Sequence, residues 1–223
     1  MTDSAIPPLD MTLDELRAAL GPLLPQEAAF DGWSETALAA AAASLGVPAD
    51  RARLAIPGGA VDMIDAWFAS VDAGMVERLP AQALAGMKIR QRITAIVLAR
   101  LEIAAPYREA LRRALALLAL PTNVPTATRF GWRAADAMWR LAGDDATGFA
   151  HYTKRATLGA VYLSTLVVFL DDEGEDLAET RAFLDRRIAG VMRFEKFKAQ
   201  IRPDPDRHFS PARFLGRLRY RTR

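Results

Sequence analysis

Apolar residues recur at helical spacing along nearly the whole chain. The first series, Leu13, Leu16, Leu20 and Leu23, advances by three or four residues at each step. This period is typical of amphipathic helices, whereas strands show alternation of apolar and polar residues. No convincing run of such alternation occurs in the chain. The pattern therefore predicts an all-α fold of about nine to ten helices.

Capping residues and chain breakers divide this pattern into elements. Ser34 can cap the segment ETALAAAAASLG, which Gly46 ends, and Pro48 suits the first position of the following helix. The Gly58-Gly59 pair then interrupts the chain before a helix that contains Trp67 and Phe68. Later helices are predicted over residues 83–104, 106–119, 127–141, 148–170, 177–194 and 210–219.

The longest apolar segment lies between two charged pairs, in HYTKRATLGAVYLSTLVVFLDD at residues 151–172. Its fifteen uncharged residues, 156–170, are fewer than the roughly 20 that a membrane-spanning helix needs. With Thr147 as the cap, Lys154 and Arg155 fall in the second turn of a helix. The acids at its other end are unfavourably placed, so we expect arginine partners for Asp171 and Asp172. The candidates are Arg181, Arg186 and Arg187.

This helix is apolar almost all round, which predicts a central position in its domain. Two interpretations of its surface remain open. Its apolar stripe is either ordinary core or the wall of a cavity for a long apolar ligand, and the same choice applies to Met138 and Trp139. The stripe consists of Leu158, Val161, Tyr162, Thr165, Leu166 and Phe169.

Composition limits the environment of the protein. The 223 residues contain no cysteine, which excludes disulfides and thiolate chemistry, and 51% of them are apolar. The N-terminal sequence lacks the basic and apolar regions of a secretory signal and is too acidic for a transit peptide. We therefore expect a cytoplasmic protein, peripherally associated with the inner face of a bacterial membrane.

Charge is distributed unevenly behind a net value of +2. Residues 1–80 contain twelve acidic residues and four arginines, whereas residues 207–223 contain six arginines and no acid. A helix over 210–219 would place aromatic and leucine side chains between arginines, which suits an anionic membrane surface. The alternative is that this tail binds an acidic patch of its own chain. The predicted membrane-binding residues are Phe209, Arg213, Phe214, Leu215, Arg217, Leu218 and Arg219.

A search for catalytic chemistry gives a negative result. The chain has two histidines, His151 and His208, and neither follows a glutamate at the spacing of carboxylate-bridged metal sites. No nucleophile elbow, P-loop or dinucleotide-binding fingerprint is present, and the acidic segment 171–176 lacks the spacing of a calcium-binding loop. We predict a protein that is not an enzyme and has no cofactor or metal site.

Residues 9–68 resemble the helix-turn-helix half of the tetracycline-repressor (TetR)-like fold. A repressor of that type accumulates Arg and Lys near its recognition helix, because phosphate contacts dominate affinity for DNA. Here Arg51 and Arg53 lie in a strongly acidic segment. We therefore expect no nucleic-acid partner, and a ligand-responsive transcriptional regulator remains the alternative function.

Three sequence blocks carry a more specific resemblance. They are FDGWSETALAAAAASLGVP, then DAMWRLAGDDATGFAHYTKRATLGAVYLSTLVVFLDD, and then ETRAFLDRRI. Together they resemble the Coq-nine family of accessory proteins of ubiquinone biosynthesis, over most of residues 10–192. The resemblance implies a TetR-like bundle that binds an isoprenoid quinone or another lipid, forms a homodimer and presents its ligand to a membrane-associated hydroxylase of the pathway.

The resemblance also implies a domain organisation and two sets of site residues. A helix-turn-helix-like part would span 9–80, a lipid-binding bundle 81–194 and a basic amphipathic tail 195–223. Lipid-binding residues would be Met138, Leu141, Leu158, Val161, Tyr162, Thr165, Leu166, Phe169 and Phe183. The surface that binds the hydroxylase would include Asp136, Trp139, His151, Tyr152 and Arg155.

Overall fold

The computed structural model describes residues 7–174 and 176–201, with side chains described as far as residue 197. This part of the chain is all-helical and contains eleven α-helices, so the predicted fold class is confirmed. The helices are α1 Leu13–Leu20, α2 Leu24–Asp31, α3 Glu35–Ser44, α4 Ala49–Ala55, α5 Gly59–Arg78, α6 Ala81–Ala85, α7 Ile89–Ala104, α8 Arg108–Leu118, α9 Val124–Leu141, α10 Gly148–Asp171 and α11 Ala178–Ile201. The described residues divide after Asp185 into two compact units.

The predicted first helix is two helices, because the chain turns at Gly21-Pro22-Leu23. Thr12 begins α1 with a capping box, in which its side chain and that of Glu15 each bind the backbone of the other. A β-carbon at Gly21 would lie 2.6 Å from the carbonyl oxygen of Ala66, so only glycine allows this close approach to α5. The leucine spacing continues through residues 21–23, but the helix is interrupted there.

The turn between α3 and α4 follows the predicted signals. The Ser34 side chain accepts a hydrogen bond from the Ala37 amide at the start of α3. Gly46 has φ +75°, a left-handed conformation that glycine adopts without strain. Pro48 lies at the cap of α4, one residue before the position expected. The helix-turn-helix shape is therefore present.

The core of residues 7–185 is built on α5, α7, α9 and α10. Trp67 on α5 is stacked on Trp33, with ring centres 5.5 Å apart, and Leu101 on α7 and Phe169 on α10 are fully buried. The predicted helix 148–170 is α10, which ends one residue later than expected. Its buried stripe contains six of the residues singled out from the sequence. Leu163 and Val167 on its other face are exposed, so the predicted central position is wrong.

None of the described helices is by itself long and apolar enough to cross a membrane. The bent pair α4 and α5 reaches that length and composition only when the two helices are taken together. The predicted helix at 210–219 and the seven predicted membrane-binding residues lie outside the described residues.

Candidate functional site

A pocket of about 210 Å³ lies between α5, α7, α8, α9 and α10. Its apolar lining consists of Trp67, Phe68, Val71, Ala104, Leu111, Leu115, Leu118, Ala119, Ala127, Phe130, Gly131, Ala134, Leu163 and Leu166. Its polar lining consists of Asp72, Arg100, Arg133 and Tyr162. Ala119 and Leu163 are exposed, so the lining reaches the protein surface beside these two residues. This pocket is the candidate ligand site.

The walls formed by α9 and α10 are antiparallel. The indole nitrogen of Trp139 donates to the Lys154 carbonyl at 2.9 Å, and Ala135 lies opposite Gly159. Moving back along α9 thus corresponds to moving forward along α10. Continuing this register places the α9 residues that line the pocket opposite Tyr162 and Leu166.

The two ends of the pocket differ in polarity. Ala127 and Arg133 are six residues apart on α9, which corresponds to about 9 Å along the helix axis. The Ala127 end is lined by apolar side chains such as Leu118 and Leu166. At the other end, Arg133 lies with the other polar lining residues. The pocket therefore combines one greasy end with one polar end, as small-molecule sites commonly do.

Arg100 is the central group of the polar end. Its side chain is 3% exposed, pairs with Asp72 through Nη1, and lies over the Tyr162 ring at 5.2 Å from the ring centre. Burial acts to lower the pKa of Arg100, but Tyr162 and Asp72 hold that pKa above its usual value. The guanidinium is therefore charged, and its orientation is fixed from two sides.

Arg133 continues the polar end toward the protein surface. Its Nη1 donates to Asp65 at 2.5 Å, and its Nε lies 3.5 Å from the Asp72 carboxylate. Asp65 also pairs with Arg17 at 2.9 Å. A chain of alternating charges thus links the polar end to α1.

Two of the nine predicted lipid-binding residues, Tyr162 and Leu166, line this pocket. The other seven lie outside its lining, and four of them are on α10, whose buried stripe is wider than the part that faces the cavity. Thr165, for example, donates from its hydroxyl to the Val161 carbonyl at 2.7 Å within α10 itself. Met138, Leu158, Val161, Thr165 and Phe169 are buried, whereas Leu141 and Phe183 are half-buried. The void next to Tyr162 does not extend to Phe169, over whose ring Arg108 lies.

Most of the pocket lining was missed from the sequence. The sequence indicates Trp67 and Phe68 on α5 only as part of the helix-turn-helix region, and it contains no signal that α8 forms a wall. One signal was available for Arg100, since it is the single charge within the apolar segment ITAIVLARL. A charge at such a position is almost never buried unless it is paired or functional.

The residues predicted to bind a partner lie near an exposed group of rings, here called the aromatic patch: Trp132, Phe149, His151 and Tyr152. Tyr152 is 63% exposed and lies 5.8 Å from Trp132 and 5.3 Å from His151, measured between ring centres. Phe149 is 81% exposed and precedes Tyr152 by three residues, which places both on one face of α10. Of the predicted residues, His151 and Tyr152 belong to this patch.

The other three predicted partner residues, Asp136, Trp139 and Arg155, are buried or half-buried beside the patch. Arg155 is 3% exposed, and it binds Asp136 at 2.6 Å and Asp144 at 3.1 Å. A partner cannot touch a buried guanidinium, so the expectation that Arg155 is a contact residue is corrected to a positioning role. Trp139 is half-buried, with the Lys154 ammonium 5.3 Å from its ring centre.

The same ion cluster explains the charges at the start of α10. Asp144 pairs with both Lys154, at 2.5 Å, and Arg155. Burial raises the pKa of Asp144, but hydrogen bonds from these two cations outweigh it and hold the pKa below its usual value. Lys154 and Arg155 lie in the second turn as predicted.

At the other end of α10, Asp171 has an arginine partner as predicted, but the candidate Arg181 is wrong. Arg181 pairs with Glu102 at 2.8 Å, and Asp171 pairs instead with Arg112 at 3.6 Å. Asp172 is buried and accepts hydrogen bonds from the Thr180 amide and hydroxyl at 2.9 and 2.7 Å. The chain turn before α11 brings Thr180 to this carboxylate, which sequence spacing did not indicate.

The two arginines of α4 are engaged within the protein. Arg51 donates to the carbonyls of Leu9 and Met11, and Arg53 pairs with Glu35 and Asp50 at 2.7 and 2.6 Å. A recognition helix needs such side chains for phosphates. The helix-turn-helix shape therefore comes without free arginines on α4. Among the described residues, no cluster of His, Asp or Glu has the arrangement of a metal site.

A match to a known family lies in the second half of the chain. The COQ9 family model matches residues 124–195, which include α9 and α10. The mitochondrial ubiquinone biosynthesis protein COQ9-B of Xenopus laevis is 30% identical over 184 residues, which cover 76% of this chain and 60% of that protein. The chain is similar to COQ9 proteins over these segments. The resemblance drawn from the sequence blocks is thereby confirmed.

Other COQ9 relatives are similar over shorter segments. Rat COQ9 is 38% identical over 103 residues, or 46% of this chain and 33% of that protein. The chain thus spans between a third and three fifths of the length of these two curated relatives, both named as mitochondrial ubiquinone biosynthesis proteins. Among solved structures, the TetR transcriptional regulator from Nitrosomonas europaea superposes with a TM-score of 0.63 at 25% identity, covering 80% of this chain and 99% of that one. The TetR-like fold is confirmed.

Proposed function

We propose that this protein is a non-catalytic accessory protein of ubiquinone biosynthesis that binds an isoprenoid quinone intermediate. The single observation that carries the proposal is the pocket, with its apolar walls and one polar end. Support also comes from the names of the relatives, which place them in ubiquinone biosynthesis. Each buried methylene contributes about 0.8 kcal/mol, so even a short prenyl segment supplies useful affinity.

The size of the pocket limits what it can hold. An engineered cavity of about 150 Å³ binds benzene, so the 210 Å³ pocket suits one substituted ring or a short prenyl segment. A long isoprenoid chain therefore has to leave the pocket where its lining reaches the surface, beside Ala119 and Leu163. The exposed side chain of Val167 continues from Leu163 along α10 and offers an apolar track for it.

The proposal is tested with the purified wild-type protein. Organic extraction followed by mass spectrometry should reveal a co-purified prenylated lipid. Titration with a short-chain prenylated benzoquinone should quench tryptophan fluorescence in a saturable way, because Trp67 lines the pocket. Absence of both a co-purified lipid and saturable quinone binding would contradict the proposal.

We further propose that the aromatic patch binds the hydroxylase that receives the lipid. Exposed aromatic side chains are unusual on a monomer surface and dominate the energy of interfaces. The patch lies on α9 and α10, the same two helices that form walls of the pocket. A hydroxylase bound there would be held close to the bound lipid.

A matched pair of phenylalanines tests this partner surface. Phe149→Ala and Tyr152→Ala should each weaken binding to the purified quinone-pathway hydroxylase by about tenfold or more, as measured by calorimetry. Phe30→Ala is the control, since Phe30 is also 81% exposed but lies on α2. Equal effects of Phe149→Ala and Phe30→Ala would exclude the patch as the docking site.

The remaining expectations stay predictions. These are a homodimer, membrane contact through residues 209–220 and a location at the inner face of a bacterial membrane. For the alternative function, a DNA-binding regulator, α4 offers no supporting observation, because Arg51 and Arg53 are held by groups of the protein itself.

A further inference from the structure

The polar end of the pocket contains two hydrogen-bond donors that lack an acceptor. The Nε atoms of Arg100 and Arg133 are buried and have no hydrogen-bond partner among the described residues, although that of Arg133 lies 3.5 Å from the Asp72 carboxylate, as an ion pair. Leaving a buried donor unsatisfied costs on the order of 1–3 kcal/mol, so native proteins rarely retain one without a reason. Both side chains line the pocket. A ligand oxygen is therefore the natural acceptor.

Charge around these donors selects among possible oxygens. Arg17, Arg100 and Arg133 are matched by three carboxylates, those of Asp62, Asp65 and Asp72. The cluster has no surplus positive charge that would stabilise a buried carboxylate or phosphate. A hydrocarbon would leave both donors unsatisfied. The best match is a neutral acceptor oxygen, of the kind that a carbonyl provides.

The donors are also held in place before a ligand arrives. Asp72 binds Arg100 from one side, the Tyr162 ring lies against its guanidinium, and Asp65 fixes Arg133. Binding then loses little side-chain entropy, which favours discrimination between headgroups. The apolar end, about 9 Å away along α9, suits the hydrocarbon that such a headgroup bears.

We infer that Arg100, supported by Arg133, recognises a neutral carbonyl-type oxygen on the ring headgroup of the bound lipid. Asp72 and Tyr162 act as positioning residues for Arg100, and the apolar end of the pocket holds the first carbons of the lipid chain. This inference rests on the proposed lipid-binding function and deepens it by assigning the headgroup class. It predicts selection for quinone-like ligands over fatty acids and over hydrocarbons of equal length.

The test compares three probes on wild-type protein and on the variant Arg100→Lys. The probes are a short-chain prenylated benzoquinone, a prenylbenzene without oxygen, and a fatty acid of similar length. Lysine keeps the charge that Asp72 requires but lacks the Nε donor. Wild-type protein should bind the quinone about tenfold more tightly than either other probe, and Arg100→Lys should remove that preference while changing the prenylbenzene affinity less than about twofold.

Each outcome decides between the two proposals. If wild-type protein binds none of the probes, the lipid-binding proposal fails. If it binds the quinone and the prenylbenzene equally, or the fatty acid most tightly, lipid binding stands and the headgroup inference is overturned. Should Arg100→Lys fail to fold, Arg133→Lys provides the same comparison at a partly exposed position, where a reduced quinone preference is again expected.

Discussion

Replacing Arg155 by methionine should lower the free energy of unfolding by about 3 kcal/mol. Removing one partner of a buried ion pair typically costs about 3–5 kcal/mol, because the remaining charge is buried without compensation. Here Asp136 keeps Arg140 and Asp144 keeps Lys154, which places the expected loss at the lower end of that range. Urea unfolding followed by circular dichroism measures the loss directly.

Arg140→Met is the matched control for this prediction. Arg140 pairs with the same carboxylate, Asp136, at 2.8 Å, but its side chain is 75% exposed. Exposed ion pairs contribute about 0–1 kcal/mol, so this variant should be nearly as stable as the wild type. Equal losses for Arg155→Met and Arg140→Met would show that burial does not set the strength of this cluster.

Loss of the Arg155 guanidinium should also affect the aromatic patch, because Arg155 joins α10 to α9 and to the turn between them. Its three acceptors are Asp136 on α9, Asp144 in the turn and the His151 carbonyl on α10 itself. The guanidinium thus fixes the first turns of α10, which carry His151 and Tyr152, against α9. Under the proposed docking role of the aromatic patch, Arg155 would act on the partner surface indirectly, by holding the helix that carries it.

Sequence reasoning succeeded where local chemistry decides the structure. The bounds of α10 follow from the breakers on either side of a continuous apolar segment, and α3 begins at its expected serine cap. Sequence reasoning failed where a contact between residues distant in the sequence decides the local structure. The backbone turn after Leu20 depends on the carbonyl of Ala66, and the partner of Asp172 is a threonine eight residues away. Neither contact leaves a periodic signal in the sequence.

The pocket illustrates the same limit more strongly. Hydrophobic periodicity identifies which face of a helix is buried, but it cannot tell whether that face meets another side chain or a void. Five helices must be placed within a few ångströms before the cavity exists, and its lining comes from residues up to 99 positions apart, from Trp67 to Leu166. The residues predicted from α10 alone could therefore include only a small part of the wall.

The pocket can be filled from one position without disturbing its surroundings. A β-carbon added at Gly131, which lines the pocket on α9, would meet no atom within 4 Å. Gly131→Phe would place there a ring comparable to the benzene that a cavity of about 150 Å³ accommodates. Because glycine is among the poorest helix formers, the substitution should not reduce helix stability. We expect a folded protein that binds short-chain prenylated quinone at least tenfold more weakly.

Gly131→Ala separates the loss of space from the loss of glycine. Alanine favours the helix by about 1 kcal/mol over glycine but occupies little of the cavity, so quinone affinity should remain within about twofold of wild type. Exclusion of as few as two methylenes by the phenylalanine ring corresponds to about 1.6 kcal/mol, or more than tenfold in affinity. If Gly131→Phe is folded and still binds quinone like the wild type, the lipid lies elsewhere, and the exposed apolar face of α10 at Leu163 and Val167 becomes the surface to examine.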